Sequence, residues 1–427
     1  MIKKPFFGWG RPKLKYPVIQ KHETDLIELA LGKKVIVLFG KPCSDIDEGF
    51  LKVGNRVKTG QRLSLRDADD EYFISPATGT VTEISEHIGY LGVNQTSISI
   101  KTEKDEQWDD EFRNSGGTVS SETAVKFLGR LPGCSSFASF VKAAPTLDTI
   151  VIKGIDEDLL ITTNQFIINS RTEALKEGIG YLRRITDAKR IILVVPPALV
   201  NKAEETGTEV KVVDPVYPQG LPEMVMKKLL DRTVPEGKTC EQMGVGFISS
   251  EAVASLADAF GQGRIPVHKI FALINKQGLC VNIKARIGTP VKDVLGFLDI
   301  HTYAGDRLVL GGPMRGKSIY SEDTPVSEDT DAIMIQDKER VILYSDTPCL
   351  NCGECVRACP ANLPVNMLVR VLENGLYEEA AQEYDLLSCI ECGLCAYVCV
   401  ARIPVYQFIM LGKYEFEKLK SAEELNA

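Results

Sequence analysis

Two cysteine runs constrain this chain more than anything else in it. They are Cys349-Leu-Asn-Cys352-Gly-Glu-Cys355-Val-Arg-Ala-Cys359-Pro360 and Cys389-Ile-Glu-Cys392-Gly-Leu-Cys395-Ala-Tyr-Val-Cys399. Each reads C-x2-C-x2-C-x3-C. Three close thiolates wrap one face of a cubane iron–sulfur cluster, and the turn after them carries the fourth thiolate to the other cluster of the pair. The spacing therefore predicts one [4Fe-4S] cluster on Cys349, Cys352, Cys355 and Cys399, and a second on Cys389, Cys392, Cys395 and Cys359. Dense thiolate ligation also suits zinc. Structural zinc sites, however, pair two C-x2-C knuckles across a longer spacer, so zinc is the lesser reading and disulfides the least. The chemistry implied is one-electron transfer.

Composition narrows the class. The net charge of −8 argues against nucleic-acid binding, which calls for a basic face. No apolar run approaches the roughly 18 residues of a membrane span, and Met1-Ile-Lys-Lys-Pro-Phe-Phe-Gly lacks the apolar core of a signal peptide. With eight of twelve cysteines in the two runs, a reducing cytoplasmic setting is expected. Cys43, Cys134, Cys240 and Cys280 are expected to serve packing. His22, His87, His268 and His301 show no metal-ligand spacing.

Along the chain, residues 1–29 form a basic, aromatic arm: Lys3, Lys4, Arg11, Lys13 and Lys15 interleave with Phe6, Phe7, Trp9 and Tyr16. It is expected to lie over the chain's own first domain. Residues 30–103 read as short strands. Val53 to Leu63 and Ser75 to Val81 set glycines between β-branched residues, as hairpin corners do. These stretches resemble the two halves of a barrel-sandwich hybrid, the fold of biotinyl and lipoyl carriers. The intervening Arg66 to Tyr72 holds no lysine to modify, which leaves a scaffold or docking role. Residues 104–121 are a polar linker. Residues 122–265 alternate strands (Thr149–Ile152, Arg190–Val195) with helical periodicity (Asn164–Thr186), the pattern of a mostly parallel sheet covered by helices. Residues 266–320 open with a hairpin and read as a small α+β module. An acidic, solvated connector at 321–345 leads to a helical cluster domain at 346–414 and a C-terminal tail at 415–427.

This order of parts resembles the C subunit of the Rnf-type ion-translocating electron transport complex across nearly the whole chain. The motifs carrying the resemblance are the second cysteine run with Ile403-Pro404 and Gly412-Lys413, Ile287-Gly-Thr-Pro290 with Gly311-Gly-Pro-Met314, and Tyr217-Pro-Gln-Gly220. It implies a β-grasp (SLBB) module at 266–320 and a middle domain like the flavin-binding subunit of respiratory complex I, holding FMN and admitting NADH. At three places the middle domain departs from that pattern. The glycine-rich loop falls at Leu131 to Phe140, where Gly133 and Phe137 survive and side chains replace the other glycines. Asp156 and Asp158 persist in Lys153 to Leu160 without the neighbouring proline and aromatic residue. Phe247 to Ala252 lacks the Asn and Thr that would hydrogen-bond the flavin. Gly133, Phe137, Asp156 and Asp158 thus mark a vestigial FMN/NADH pocket.

The resemblance implies a peripheral subunit on the cytoplasmic side of a membrane complex that couples electron flow to ion movement. The favoured reading is an electron relay through two [4Fe-4S] clusters, with ferredoxin or another redox protein as partner beside the complex's other subunits. Set against it are an NADH-oxidising FMN subunit and a structural adaptor whose clusters only hold the tail folded.

Overall fold

The computed structural model describes residues 12–19, 26–42, 51–64, 72–115 and 119–426. Lys3, Lys4, Phe6, Phe7, Trp9 and Arg11 of the expected arm lie outside the described residues, as do His22, Cys43 and the turn from Arg66 to Glu71.

The 30–103 segment is antiparallel throughout. Lys34–Phe39, Asn94–Thr102, Gly79–Ile88 and Arg56–Val57 form one sheet in that order, and Arg62–Ser64 pairs with Tyr72–Ile74 beside it. Val35, Val37, Val81, Ile98 and Ile100 alternate inward to make its core, the period of a half-buried strand.

The middle domain carries a four-stranded sheet ordered Glu209–Val212, Arg190–Val195, Thr149–Lys153, Val245–Ser249, with every pairing parallel. The two inner strands, Thr149–Lys153 and Arg190–Val195, are buried on both faces, which is why they read as apolar, largely β-branched runs. Ile150, Ile152, Leu193 and Ile248 face the helices Thr163–Ser170, Thr172–Ile185 and Ser250–Gln262. Val151, Ile192 and Val194 face the other way, toward Pro222–Leu229 and the cluster domain's Cys392, Leu394 and Val398. The strand order reverses between Thr149–Lys153 and Val245–Ser249, and such a switch point is where open α/β sheets hold ligands.

Three boundaries differ from expectation. The strand Leu26–Glu28, inside the expected arm, pairs in parallel with Cys280–Arg286 at the edge of a six-stranded mixed sheet. The strand Ala332–Gln336, inside the expected connector, lies in the middle of that sheet between His268–Ile274 and Arg307–Leu310. Its alternating Ile333 and Ile335 are buried, a strand signal too short to stand out beside the acidic stretch before it. The helix Val405–Asn426 runs straight through the expected domain end at 414, since no proline interrupts it and Gly412 admits Leu372 against the helix backbone. Between the runs lie the helices Val365–Glu373 and Tyr377–Glu383. Among the described residues, no helix is long and apolar enough to cross a membrane.

Gly178 sits where Thr172–Ile185 crosses Ser250–Gln262, and a Cβ there would strike the Val253 carbonyl. Gly178→Ala is expected to cost about 1–3 kcal/mol through overpacking, lowering the urea midpoint. Gly180→Ala on the same helix meets nothing within 4 Å and is expected to leave the midpoint unchanged or raise it through helix propensity.

Candidate iron–sulfur centre and the neighbouring pocket

The two cysteine runs fold as copies of one another at a forty-residue offset: backbone in the left-handed region recurs at Asn351 and Glu391, Gly353 and Gly393, Asn362 and Arg402. Each glycine opens a one-turn helix, Glu354–Ala358 or Leu394–Val398, that carries the third cysteine of its run. The Cys359 amide then donates to the Val356 carbonyl (3.3 Å), and the Cys399 amide to Ala396 (3.2 Å). This turn sends the fourth thiol away from its own run.

The thiols collect around two cavities. Cys349, Cys352, Cys355 and Cys399 line the first, and Cys359, Cys389, Cys392 and Cys395 the second. Both walls are otherwise mainly apolar, with Leu350, Val369 and Ile403 at one and Leu363, Ile390 and Ile409 at the other. Among the described residues, no three His, Cys, Asp or Glu side chains converge on a single-ion site. Four thiols spread around each cavity suit a cube better than one zinc ion, whose ligands must close to about 2.3 Å from the metal. Burial pushes the thiols up, to about 11 at Cys355 and Cys389 and about 12 at Cys392. Free of iron, these three thiols hold their protons at neutral pH, so cationic iron must displace those protons to bind.

The two sites are not equivalent. Lys413 donates from its ammonium to the Cys389 carbonyl (2.7 Å) and to Glu391 Oε1 (2.7 Å), while the Glu391 amide approaches Cys389 Sγ at 3.4 Å. Tyr217 donates its hydroxyl to the Cys392 carbonyl at 2.6 Å, tying this side to the parallel sheet. Around the first cavity, Arg357 donates to the Cys352 carbonyl (3.0 Å) and to Glu354 (2.8 Å) at the surface. In the sequence Tyr217 and Lys413 stand out only as parts of family motifs. Their contacts to cysteine carbonyls arise from folding over long sequence separations.

The four residues of the expected vestigial pocket are all engaged. Gly133 has φ +83°, and a Cβ there would collide with Ser249 Oγ. Its amide donates to the Glu328 carbonyl (2.7 Å), and the neighbouring Ser135 amide to Asp329 Oδ1 (2.9 Å). Phe137 is fully buried in the domain core. Asp156 accepts from the Asn164 amide (2.9 Å), and Asp158 from the Arg315 (2.7 Å) and Met314 (3.1 Å) amides. Burial pushes both carboxyls up to about 6, against the lowering effect of those N–H groups. At the switch point Glu157 lies between Lys153 (2.7 Å) and Arg315 (2.5 Å), which hold it down to about 2 although burial acts the other way. In Phe247 to Ala252, Ser249 caps its helix on the Ala252 amide (3.0 Å), Ser250 donates to the Lys153 carbonyl (2.5 Å), and Glu251 pairs with the wholly buried Lys269.

The acidic stretch before Ala332 is therefore no solvated connector: Arg130 holds Glu328 through two hydrogen bonds of 2.9 and 3.1 Å, and Val326 is fully buried. Of the scattered cysteines, Cys240 is a core residue as expected, Cys134 is half-buried beside Asp329 and Lys153, and Cys280 is exposed on its strand. No described cysteine forms a disulfide.

Residues 341–400 match the 4Fe-4S dicluster domain family. The chain is 29% identical over 373 residues to the C subunit of the proton-translocating ferredoxin:NAD(+) oxidoreductase complex of Clostridium ljungdahlii, covering 82% of this chain and 79% of that one. It is 23% identical to the C subunit of the Na(+)-translocating ferredoxin:NAD(+) oxidoreductase complex of Acetobacterium woodii, over 82% of this chain and 85% of that one. Against the C subunit of the ion-translocating oxidoreductase complex of Pectobacterium carotovorum it is 25% identical but spans half of that protein's length (50%). Among solved structures, an NAD+-reducing [NiFe]-hydrogenase superposes with a TM-score of 0.47 at 12% identity, covering 72% of this chain and 65% of that one.

The Lys413–Glu391 pair gives a signed prediction. Reduction adds negative charge, so Lys413→Met should lower the midpoint potential of one cluster and Glu391→Gln should raise it, each by about 59 mV, a tenfold change for a one-electron couple. Potentiometric titration followed by EPR reads both, and the other cluster's midpoint should not move.

Proposed function

We propose that this chain, a relative of the C subunits of ion-translocating oxidoreductase complexes, is a peripheral subunit that relays single electrons. The relay runs through two [4Fe-4S] clusters, one held by Cys349, Cys352, Cys355 and Cys399, the other by Cys389, Cys392, Cys395 and Cys359. The observation that carries this reading is the exchange of fourth thiols: each cavity takes three cysteines from one run and one from the other. When bound, the clusters would supply one-electron redox chemistry. The chain's part is to fix the thiols, wall off water with Leu363, Ile390, Ile403 and Ile409, and place Lys413 beside one site.

The state of the switch-point pocket favours a relay over an NADH-oxidising flavin subunit. A phosphate site at such a loop needs backbone N–H groups aimed at the anion and room for close approach. In this chain the Gly133 amide is spent on Glu328 and the Ser135 amide on Asp329, while Ser249 fills the space beside Gly133. A backbone carbonyl, that of Glu328, and the Asp329 carboxylate thus take the amides an anion would need. The relay then exchanges electrons with proteins: ferredoxin or another redox protein on one side, and the membrane part of the complex on the other. Attachment at the cytoplasmic face through partner subunits completes the reading. It is supported by the names of the relatives and by the lack of a spanning helix among the described residues.

Anaerobic reconstitution with iron, sulfide and FMN tests this. About eight irons per chain are expected, from two four-iron cubes. Dithionite should bleach the visible absorbance, and NADH should leave it unchanged. Prompt bleaching by NADH would restore the flavin-subunit reading.

A further inference from the structure

The two halves of the cluster domain's internal repeat are buried unequally: Ala358 and Cys355 of the first half reach the middle domain, while its cysteine loop stays exposed. In the second half, Cys392, Gly393 and Leu394 are buried against the middle domain, and Ile390 packs beside them. A Cβ on Gly393 would lie 2.5 Å from the Met314 carbonyl, so the backbones touch there, and Tyr217 holds the Cys392 carbonyl at 2.6 Å. The counterparts forty residues earlier are Leu350, Cys352, Gly353 and Glu354. Leu350 is 63% exposed, Cys352 is exposed, and a Cβ on Gly353 would meet only the chain's own Arg357.

More apolar surface extends this bare face. Val400 is exposed and, like Leu350, lines the first cavity. The strand-less segment Ile342-Leu-Tyr344 is tied alongside by the Ser345 amide to the Arg402 carbonyl (3.1 Å) and by Gln407 to the Tyr344 hydroxyl (2.7 Å). Leu343 is 75% exposed. From Val341 to Leu350 the only charged residue is Asp346. The charge beside Cys352 is a self-paired couple, Arg357 with Glu354 (2.8 Å), which offers little net steering of a mobile carrier, whereas apolar patches of this kind are covered in lasting assemblies.

We propose that this face, Leu350, Cys352 and Gly353 with Val400 and the Ile342–Tyr344 segment, seats a resident protein partner that holds its own redox centre, docked as the second half docks on the middle domain. The first cavity is then the port through which electrons enter or leave, and the second is the interior station. This rests on the relay reading.

The test uses the reconstituted full chain and inside-out membrane vesicles from cells lacking it. Dithionite-reduced wild-type chain is expected to bind the vesicles and be reoxidised by them. Leu343→Glu should keep its iron and its reduction by dithionite, while vesicle binding and reoxidation fall at least tenfold. Val53→Glu, exposed in the 30–103 segment, should match wild type. Ile342→Glu replaces Leu343→Glu if that variant loses iron. Undiminished binding by the variants overturns the proposal. So does equal binding to protein-free vesicles of the same lipids, which would make the face a lipid contact. Self-association of the chain that Leu343→Glu abolishes would overturn it as well, by making the occupant a second copy. Wild-type chain that holds no iron, or that dithionite cannot reduce, would instead remove the relay reading itself.

Discussion

The exchange of Cys359 and Cys399 between the two cysteine runs is the constraint on which the rest of the structure depends. Neither run can complete its own set of four thiols, so the halves fold as one unit. That unit brings Cys392, Leu394 and Val398 onto the second face of the parallel sheet. The sheet is sandwiched in consequence, with its own helices on one side and the cluster domain on the other. Tyr217 and Met314 lie at this seam, so the loop after Glu209–Val212 and the turn after Arg307–Leu310 are both held by the cluster domain. The same turn supplies the Met314 and Arg315 amides that Asp158 accepts, which locks the six-stranded module to the switch point.

In a chain built this way the crevice at the switch point of the parallel sheet is taken up by internal bonds. Lys153, Glu157 and Arg315 close the switch point with charge, and Glu328 with Asp329 takes the loop amides. The crevice is thus stabilised in its filled state.

Much of this was legible in the sequence, for unequal physical reasons. The gathering of the thiols is encoded locally: the spacing of Cys349 to Cys359 and Cys389 to Cys399 fixes the turns, and the turns fix where the fourth thiols go. The parallel sheet was legible because strands buried on both faces must be apolar at every position, as in Ile191 to Val195. Leu26–Glu28 and Ala332–Gln336 were not, since short strands carry little signal and their partners lie far away in sequence. The loss of glycines around Gly133 was visible; that Glu328 and Asp329 take up its amides was not, because a stretch of acids reads as solvated until a partner such as Arg130 is placed beside it. Lys413 was legible only as part of a motif, and its contact with the Cys389 carbonyl appears once the C-terminal helix packs back on the second run.

Two cubes held by these eight cysteines, as proposed, would sense each other's spin when both are reduced. The EPR spectrum of the fully dithionite-reduced chain tests this most directly. Two reduced clusters held this close should give a broadened signal with spin–spin splitting, which sharpens to that of a single cluster at half reduction. A narrow signal that merely doubles in intensity, or one that integrates to a single spin per chain at full reduction, would contradict it.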